Sequence, residues 1–340
     1  MPQVGTGIIG AGRIGRLHAE HLALRTPDAD LIAIADVRLE AAEECAVDLK
    51  IPSAVRDHHE LLENPDIEAV VICSSTDTHA QIIKEAAAAG KHIFCEKPIG
   101  FDLAKIDRAL EAVGKAGVKL QIGFNRRFDP SFKRARDLVA AGEIGEPHIV
   151  HIISRDPEPP PIDYIETSGG IFLDMTIHDF DMARYLIDEE VTEVYAIGGV
   201  MVDPRIGDAG DIDTAIITLR YRSGAIGVID NSRKAVYGYD QRVEVFGSGG
   251  RVVVSNSKPD TAAYSNAQGV HSSPPLFFFM ERYEDAYIAE MRGFIECIQQ
   301  DKTPPVTGID GRAAVVMGYA AESSYEENRP VKLSEIDQAL

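Results

Sequence analysis

Two side chains able to move a proton stand four positions apart in Asp174-Met-Thr-Ile-His178, just after Gly169-Gly170. A helix turns once every 3.6 residues, so a helix here sets Asp174, His178, Asp181 and Tyr185 on one face. Imidazole is the group best suited to accept a proton near neutral pH, and a carboxylate one turn away can orient it or hold a substrate hydroxyl beside it. A solvated polar face explains the same pair without any chemistry, and only the rest of the chain decides between them. Lys97 is the next candidate, fixed between Glu96 and Pro98 after the β-rich run 92–95. A cis bond at Pro98 would lock the turn and aim Lys97 into a crevice. The plainer alternative is a surface pair with Glu96.

A third set points to a cofactor. Residues 4–9 read as a strand, and they lead through Gly10-Ala-Gly12-Arg-Ile-Gly15 into a helical stretch, 16–24. Strand, glycine turn and helix in this order turn a weak glycine motif into a dinucleotide-binding expectation. Gly12 lets the backbone approach a pyrophosphate, Gly15 lets the helix pack on the strand, and the helix N-terminus offers unpaired N–H groups. Gly10, Arg13 and Ile14 belong to the same expected contact set. Asp36 closes the next strand, about 20 residues past the last glycine, where an acidic side chain takes the ribose hydroxyls. Its charge repels a 2′-phosphate, so NAD is the expected cofactor. Arg38 softens that preference enough to admit NADP more weakly.

The elements that must position these groups follow from the pattern. Residues 39–49, 58–63 and 78–89 read as helices, and 53–56, 69–73, 92–95 and 119–123 as strands, an alternation that builds a parallel sheet with helices on both faces. Ser74, Ser75, Thr76 and His79 follow one of these strands, at the edge where open α/β sheets bind ligands. Helix capping competes as an explanation for Ser74 and Thr76. Past residue 124 the pattern changes to a helix at 130–141, a strand at 147–154 and β-rich runs at 194–202, 214–221, 225–232, 241–246 and 251–255. These predict an antiparallel sheet with apolar surface on both faces, one for the helix 174–187 and the other for a partner subunit or the chain's own terminal helices. Asp156-Pro-Glu-Pro-Pro-Pro161 excludes helix and central strand and predicts a stiff loop that can wall a pocket. Residues 256–275 read as a long polar loop, followed by helices at 283–299 and 311–326. The expected domains are 1–124 and 125–340.

Composition narrows the function. The 340 residues carry a formal net charge of -20 with 45% hydrophobic and 26% charged residues, which fits a globular protein and repels nucleic acid and anionic membranes. No apolar run approaches bilayer length and the first residues lack a basic leader, so a cytoplasmic location is expected. Cys45, Cys73, Cys95 and Cys297 are widely separated, which predicts reduced thiols and no CxxC metal knuckle.

Taken together, Gly10-Ala-Gly12-Arg-Ile-Gly15, Glu96-Lys97-Pro98 and Asp174-Met-Thr-Ile-His178 resemble the glucose-fructose oxidoreductase/inositol dehydrogenase (Gfo/Idh/MocA) family, over nearly the whole chain. The longer strings Gly123-Phe-Asn-Arg-Arg-Phe-Asp-Pro130, Ser154-Arg-Asp-Pro157, 169–184 and Tyr237-Gly-Tyr-Asp240 look like its inositol 2-dehydrogenase branch. Ser75 departs from the proline often found in the broader family and agrees with that branch. The resemblance implies an N-terminal Rossmann domain with a doubly wound parallel sheet, and a C-terminal α+β domain with a large open, mainly antiparallel sheet, usually assembled as homotetramers. It implies Lys97, Asp174 and His178 as the catalytic set, all three touching substrate. Ser74, Ser75, Thr76, His79, Glu96, Lys97 and Arg126 are implied around the nicotinamide, and Arg127, Asp156 and Tyr237 near a sugar-like substrate. The implied reaction oxidises a secondary hydroxyl of a cyclic polyol, myo- or scyllo-inositol, to the inosose. His178 takes the proton and Lys97 polarises the oxygen, so no metal is expected. A dehydrogenase or reductase of an aldose or other sugar, a glycosidase that retains NAD and a non-enzymatic NAD-responsive binding protein are the alternatives, the last disfavoured by the retained proton-transfer set.

Overall fold

Val4–Ile9 (β1) is buried along its whole length, as a strand covered on both faces must be. From it the chain alternates through α1 (Arg13–Glu20), β2 (Ala29–Ala35), α2 (Leu39–Leu49), β3 (Ser53–Val55), α3 (His59–Glu63), β4 (Ala69–Ile72), α4 (Thr76–Ala88), β5 (His92–Glu96), α5 (Leu103–Ala116) and β6 (Leu120–Gly123). The six strands pair in parallel in the order β3-β2-β1-β4-β5-β6. Strand order therefore reverses between β1 and β4, and a crevice opens beyond the C-terminal ends of these two strands, the binding place of open α/β sheets.

The computed structural model describes residues 2–337 and divides the chain into two units. The first holds the residues up to Phe128 together with Asp285–Ala313, and the second holds Asp129–Glu284 and the residues from Ala314 onward. Compared with a division at residue 124, the late helix Glu284–Gln299 is thus largely part of the first unit. Its apolar stripe explains why: Met291, Phe294 and Ile295 join Ile8, Leu22 and Phe94 in one core cluster, and Phe294 meets Phe94 edge-on at 5.9 Å. An amphipathic pattern in sequence announces a buried face without naming the surface that buries it.

The second unit begins with α6 (Pro130–Ala140), whose N-terminus is capped by the Asp129 carboxylate accepting from Ser131 and Phe132 N–H. Then come β7 (Pro147–Arg155), α7 (Ile162–Ile165), α8 (Gly170–Asp174), α9 (Ile177–Ile187), β8 (Val191–Gly199), α10 (Pro204–Asp208), β9 (Thr214–Tyr221), β10 (Ile226–Ser232), β11 (Asp240–Gly247) and β12 (Gly250–Val254). With a short late strand at Val331–Lys332, the strands form a seven-stranded sheet. It is mainly antiparallel, but β7 and β10 pair in parallel, which strand composition cannot announce. The expected loop 256–275 contains a small exposed hairpin, Ala263–Asn266 with Gly269–Ser272.

Alternation splits the seven-stranded sheet into two unlike faces. Val150, Ile152, Val194, Ala196, Ile217, Leu219, Ile229 and Val245 are buried, and on this side the helices pack: the Tyr221 hydroxyl donates to the Ala183 carbonyl of α9, and the Ser324 hydroxyl accepts from the Ala196 N–H. The opposite face is open. Its register aligns Arg220, Ile226, Ile149, Phe246 and Arg251 in a row across five strands, and Ile226 is 49% exposed. No described helix is long and apolar enough to cross a membrane.

Candidate active site

In the first unit the glycine turn is built as a cradle. Gly10 has φ +104, and a Cβ there would sit 2.6 Å from the Cys73 carbonyl oxygen; a Cβ on Gly15 would sit 1.8 Å from the Gly10 carbonyl. Only glycine lets β1, β4 and α1 approach so closely. Gly12 is the N-cap of α1, makes no side-chain cap, and a Cβ there would meet nothing within 4 Å. The helix thus opens on free space with its first N–H groups outward and no acidic residue in its first turn, which fits a pyrophosphate. Asp36 stands against this turn: its carboxylate accepts from the Ala11 N–H at 2.7 Å and from the Arg38 N–H at 2.8 Å. The Arg38 guanidinium, largely exposed, lies 3.9 Å from it. The described donors therefore fit NAD.

The next two loops carry the nicotinamide-side candidates. Ser75 caps α4 and Thr76 begins it, while the Ser74 hydroxyl pairs with that of Thr78 at 2.7 Å. His79 is buried, with Nδ1 2.8 Å from the Pro98 carbonyl and Nε2 3.0 Å from that of Ser74. Burial pushes its pKa down while the two carbonyls oppose the shift. Its ring staples the Ser74 loop to the turn after β5. The Lys97–Pro98 bond in that turn is cis. Glu96 turns away from solvent to meet His18 Nε2 at 2.6 Å, and its carboxylate fills the space a Cβ on Gly123 would claim. Arg126 is buried in the turn Asn125–Phe128. Arg127 is held by Asp310 at 3.0 Å and donates to the Pro305 carbonyl.

In the second unit the stretch expected to be one helix is two. α8 ends at Asp174, Met175 and Thr176 form a turn, and α9 begins at Ile177. The break is pinned from β10: Asn231 accepts from the Thr176 hydroxyl at 2.6 Å and donates to the Asp179 carboxylate at 2.8 Å. Of the residues from Ile171 to Arg184, only Asp174 and His178 are not buried. The expectation that Asp181 and Tyr185 share their face is corrected by this packing. Asp181 is fully buried, and Tyr185 lies beneath the Arg136 guanidinium.

Asp174 is held on both oxygens. Oδ1 accepts from the Tyr164 hydroxyl at 2.9 Å, and Oδ2 from Arg233 Nη1 at 3.1 Å. Asp156 lies near enough to raise the pKa of both Tyr164 and Arg233. Desolvation and the Asp174 charge raise the Tyr164 phenol further, so it stays a donor. Tyr237 sits elsewhere. Its hydroxyl donates to Asp240 at 2.6 Å and accepts from Arg155 at 3.1 Å, and alternation along β7 puts Arg155 on the sheet face opposite Ser154, whose carbonyl accepts from the inward Asn231. Tyr164, Arg233 and Asp211 were not singled out by sequence reasoning; the stiff loop before Tyr164 was the one signal near them. Among the described residues, one group offers clustered metal ligands, Asp57, His58 and His59. It is exposed, and its imidazoles are bonded to the Asp57 and Glu85 carboxylates.

Two family models match the chain: the oxidoreductase family with NAD-binding Rossmann fold over residues 4–124, and the GFO/IDH/MocA C-terminal domain over residues 132–253. The chain is 54% identical to the myo-inositol 2-dehydrogenase of Thermotoga maritima over 330 residues, covering 97% of this chain and 98% of that protein. It is 46% identical to the inositol 2-dehydrogenase of Rhizobium meliloti, covering 96% and 98%. A crystal structure of scyllo-inositol dehydrogenase from Lactobacillus casei, with bound NAD(H) and scyllo-inositol, is similar with a TM-score of 0.92 at 29% identity, covering 98% of this chain and 99% of that one.

Proposed function

The chain belongs to the GFO/IDH/MocA family of oxidoreductases, and from that premise we propose that it is an inositol 2-dehydrogenase in which Lys97, Asp174 and His178 perform the chemistry. It binds NAD and oxidises a secondary hydroxyl of myo- or scyllo-inositol to the ketone. The observation that carries the residue assignment is that Asp174 and His178 alone are partly exposed along the otherwise buried stretch from Ile171 to Arg184. Bound NAD supplies the acceptor for the hydride that leaves the carbinol carbon. His178 accepts the hydroxyl proton, and Lys97 donates a hydrogen bond to the same oxygen as it gains alkoxide character. Asp174, already fixed on both oxygens, accepts from a neighbouring hydroxyl of the ring. Asp36 and the N-terminus of α1 hold the dinucleotide, with Ser74, Ser75, Thr76 and Arg126 toward its nicotinamide end. His79 joins the nicotinamide side and Arg127 the substrate side, each also held by partners within the protein.

The open sheet face supports a homotetramer. Its exposed row of Ile226, Ile149 and Phe246 is the kind of apolar surface that a second copy covers. The four cysteines are free, which suits the reducing cytoplasm where NAD is recycled.

The test is a panel of myo-, scyllo- and chiro-inositol and glucose, each with NAD and with NADP, followed by reduced cofactor formation. Accumulation of NADH from myo- or scyllo-inositol, slower with NADP, is expected. Turnover of glucose alone would make it a sugar dehydrogenase, and absence of free reduced cofactor with every substrate would favour an NAD-retaining glycosidase.

A further inference from the structure

A carboxylate that must accept a hydrogen bond from one particular hydroxyl of a polyol has to be held in one orientation. The second unit contains the parts for this, drawn from separate segments of chain. Asp174 receives the Tyr164 hydroxyl on Oδ1 and Arg233 Nη1 on Oδ2. The other arm of Arg233, Nη2, reaches Asp211 Oδ2 at 3.2 Å. Asp211 is held in turn by the Ile171 N–H at 3.0 Å, one turn before Asp174, and its Oδ1 lies 3.1 Å from where a Cβ on Gly170 would stand. The chain thus closes on itself: Asp174, Arg233, Asp211 and the backbone of α8.

Burial makes this arrangement demanding. Arg233 is 1% exposed, and a guanidinium taken from water needs anionic partners on its donors. Three carboxylates, Asp156, Asp174 and Asp211, act on this one cation. A guanidinium is planar and forked, so it spans two carboxylates at a fixed angle, which a single ammonium cannot do. Each carboxylate oxygen carries two lone pairs, so the bonds from Tyr164 and Arg233 do not by themselves use up what Asp174 can accept.

We propose that Arg233, braced by Asp211 and opposed by Tyr164, is a positioning residue of the dehydrogenase that locks the Asp174 carboxylate in the orientation that receives a substrate hydroxyl. The inference rests on Asp174 touching the polyol, as read above. Arg233 and Tyr164 then act only through Asp174, and this separates positioning from mere support of the fold.

A double-mutant cycle reads the difference. Arg233→Lys and Tyr164→Phe are made alone and in the Asp174→Ala background, with folding checked by circular dichroism and NADH affinity by fluorescence titration. Each single change is expected to lower kcat/KM for myo-inositol about tenfold, the loss of one hydrogen bond to a charged group, with NADH affinity within about twofold. In the Asp174→Ala background each is expected to change kcat/KM by less than about twofold. Losses of equal size with and without Asp174 would overturn the inference. Should Arg233→Lys not fold, Tyr164→Phe carries the cycle by itself, because that side chain is 48% exposed. Near-normal turnover of Asp174→Ala would overturn the catalytic reading instead, a result the cycle reports separately.

Discussion

The two units solve one problem, how to keep an acid inside a protein, in opposite ways. In the first, Glu290 on the helix Glu284–Gln299 is fully buried, and neither carboxyl oxygen has a hydrogen-bond partner. Burial, with the charge of Glu96 added, pushes its pKa well above the ordinary 4.5, so it keeps its proton. His21, also in the first unit, is treated alike, held down at about 4 by desolvation. In the second unit Asp174 is instead given partners, with Arg233 and Tyr164 on its two oxygens. Neutralising by proton suits a position that only fills space. Holding an acid by a buried, braced cation fixes its orientation toward a hydroxyl, at the cost of recruiting a guanidinium and a second acid.

The largest effect expected from this contrast falls on His178, the proton acceptor proposed above. His178→Ala should lower kcat by at least about a hundredfold, the usual contribution of a positioned base, while NADH binding, assigned to the first unit, stays unchanged. Near-normal turnover would remove His178 from that role, and lost NADH binding would blur the division between the units. A smaller effect tests the other side. Below pH about 4.5, Glu290 is protonated both folded and unfolded; above it, the unfolded chain releases the proton that the folded chain keeps. Ionisation then favours the unfolded state, so stability falls as pH rises from 4.5 toward the raised folded value. Glu290→Gln has no such proton. Its melting temperature relative to the parent should therefore rise across that window, by about 2–4 °C for each kcal/mol relieved. A difference that stays constant with pH would show that Glu290 is not held neutral.

Much of the first unit was legible because its signals are local. A glycine turn between a strand and a helix, with an acid at the end of the next strand, fixes Gly10, Gly12, Gly15 and Asp36 within one continuous stretch. Lys97, Asp174 and His178 were legible as candidates from residue type and flanking sequence. Their surroundings were less so. Arg233 lies 59 residues beyond Asp174 and 22 beyond Asp211, and nothing in spacing links them until the chain just past β10 brings the guanidinium to both carboxylates. The break at Met175–Thr176 carries no proline or glycine; Asn231 imposes it from another strand. Tyr237 has a distinctive motif, but its hydroxyl's partners, Arg155 and Asp240, could not be read from it.

The central claim is that hydride passes from a ring carbon of inositol to NAD. Myo-inositol deuterated at every carbon, incubated with the protein and NAD, tests it directly when the reduced cofactor is recovered and weighed by mass spectrometry. NADH carrying one deuterium is the predicted result; unlabelled NADH, or none at all, would contradict the account.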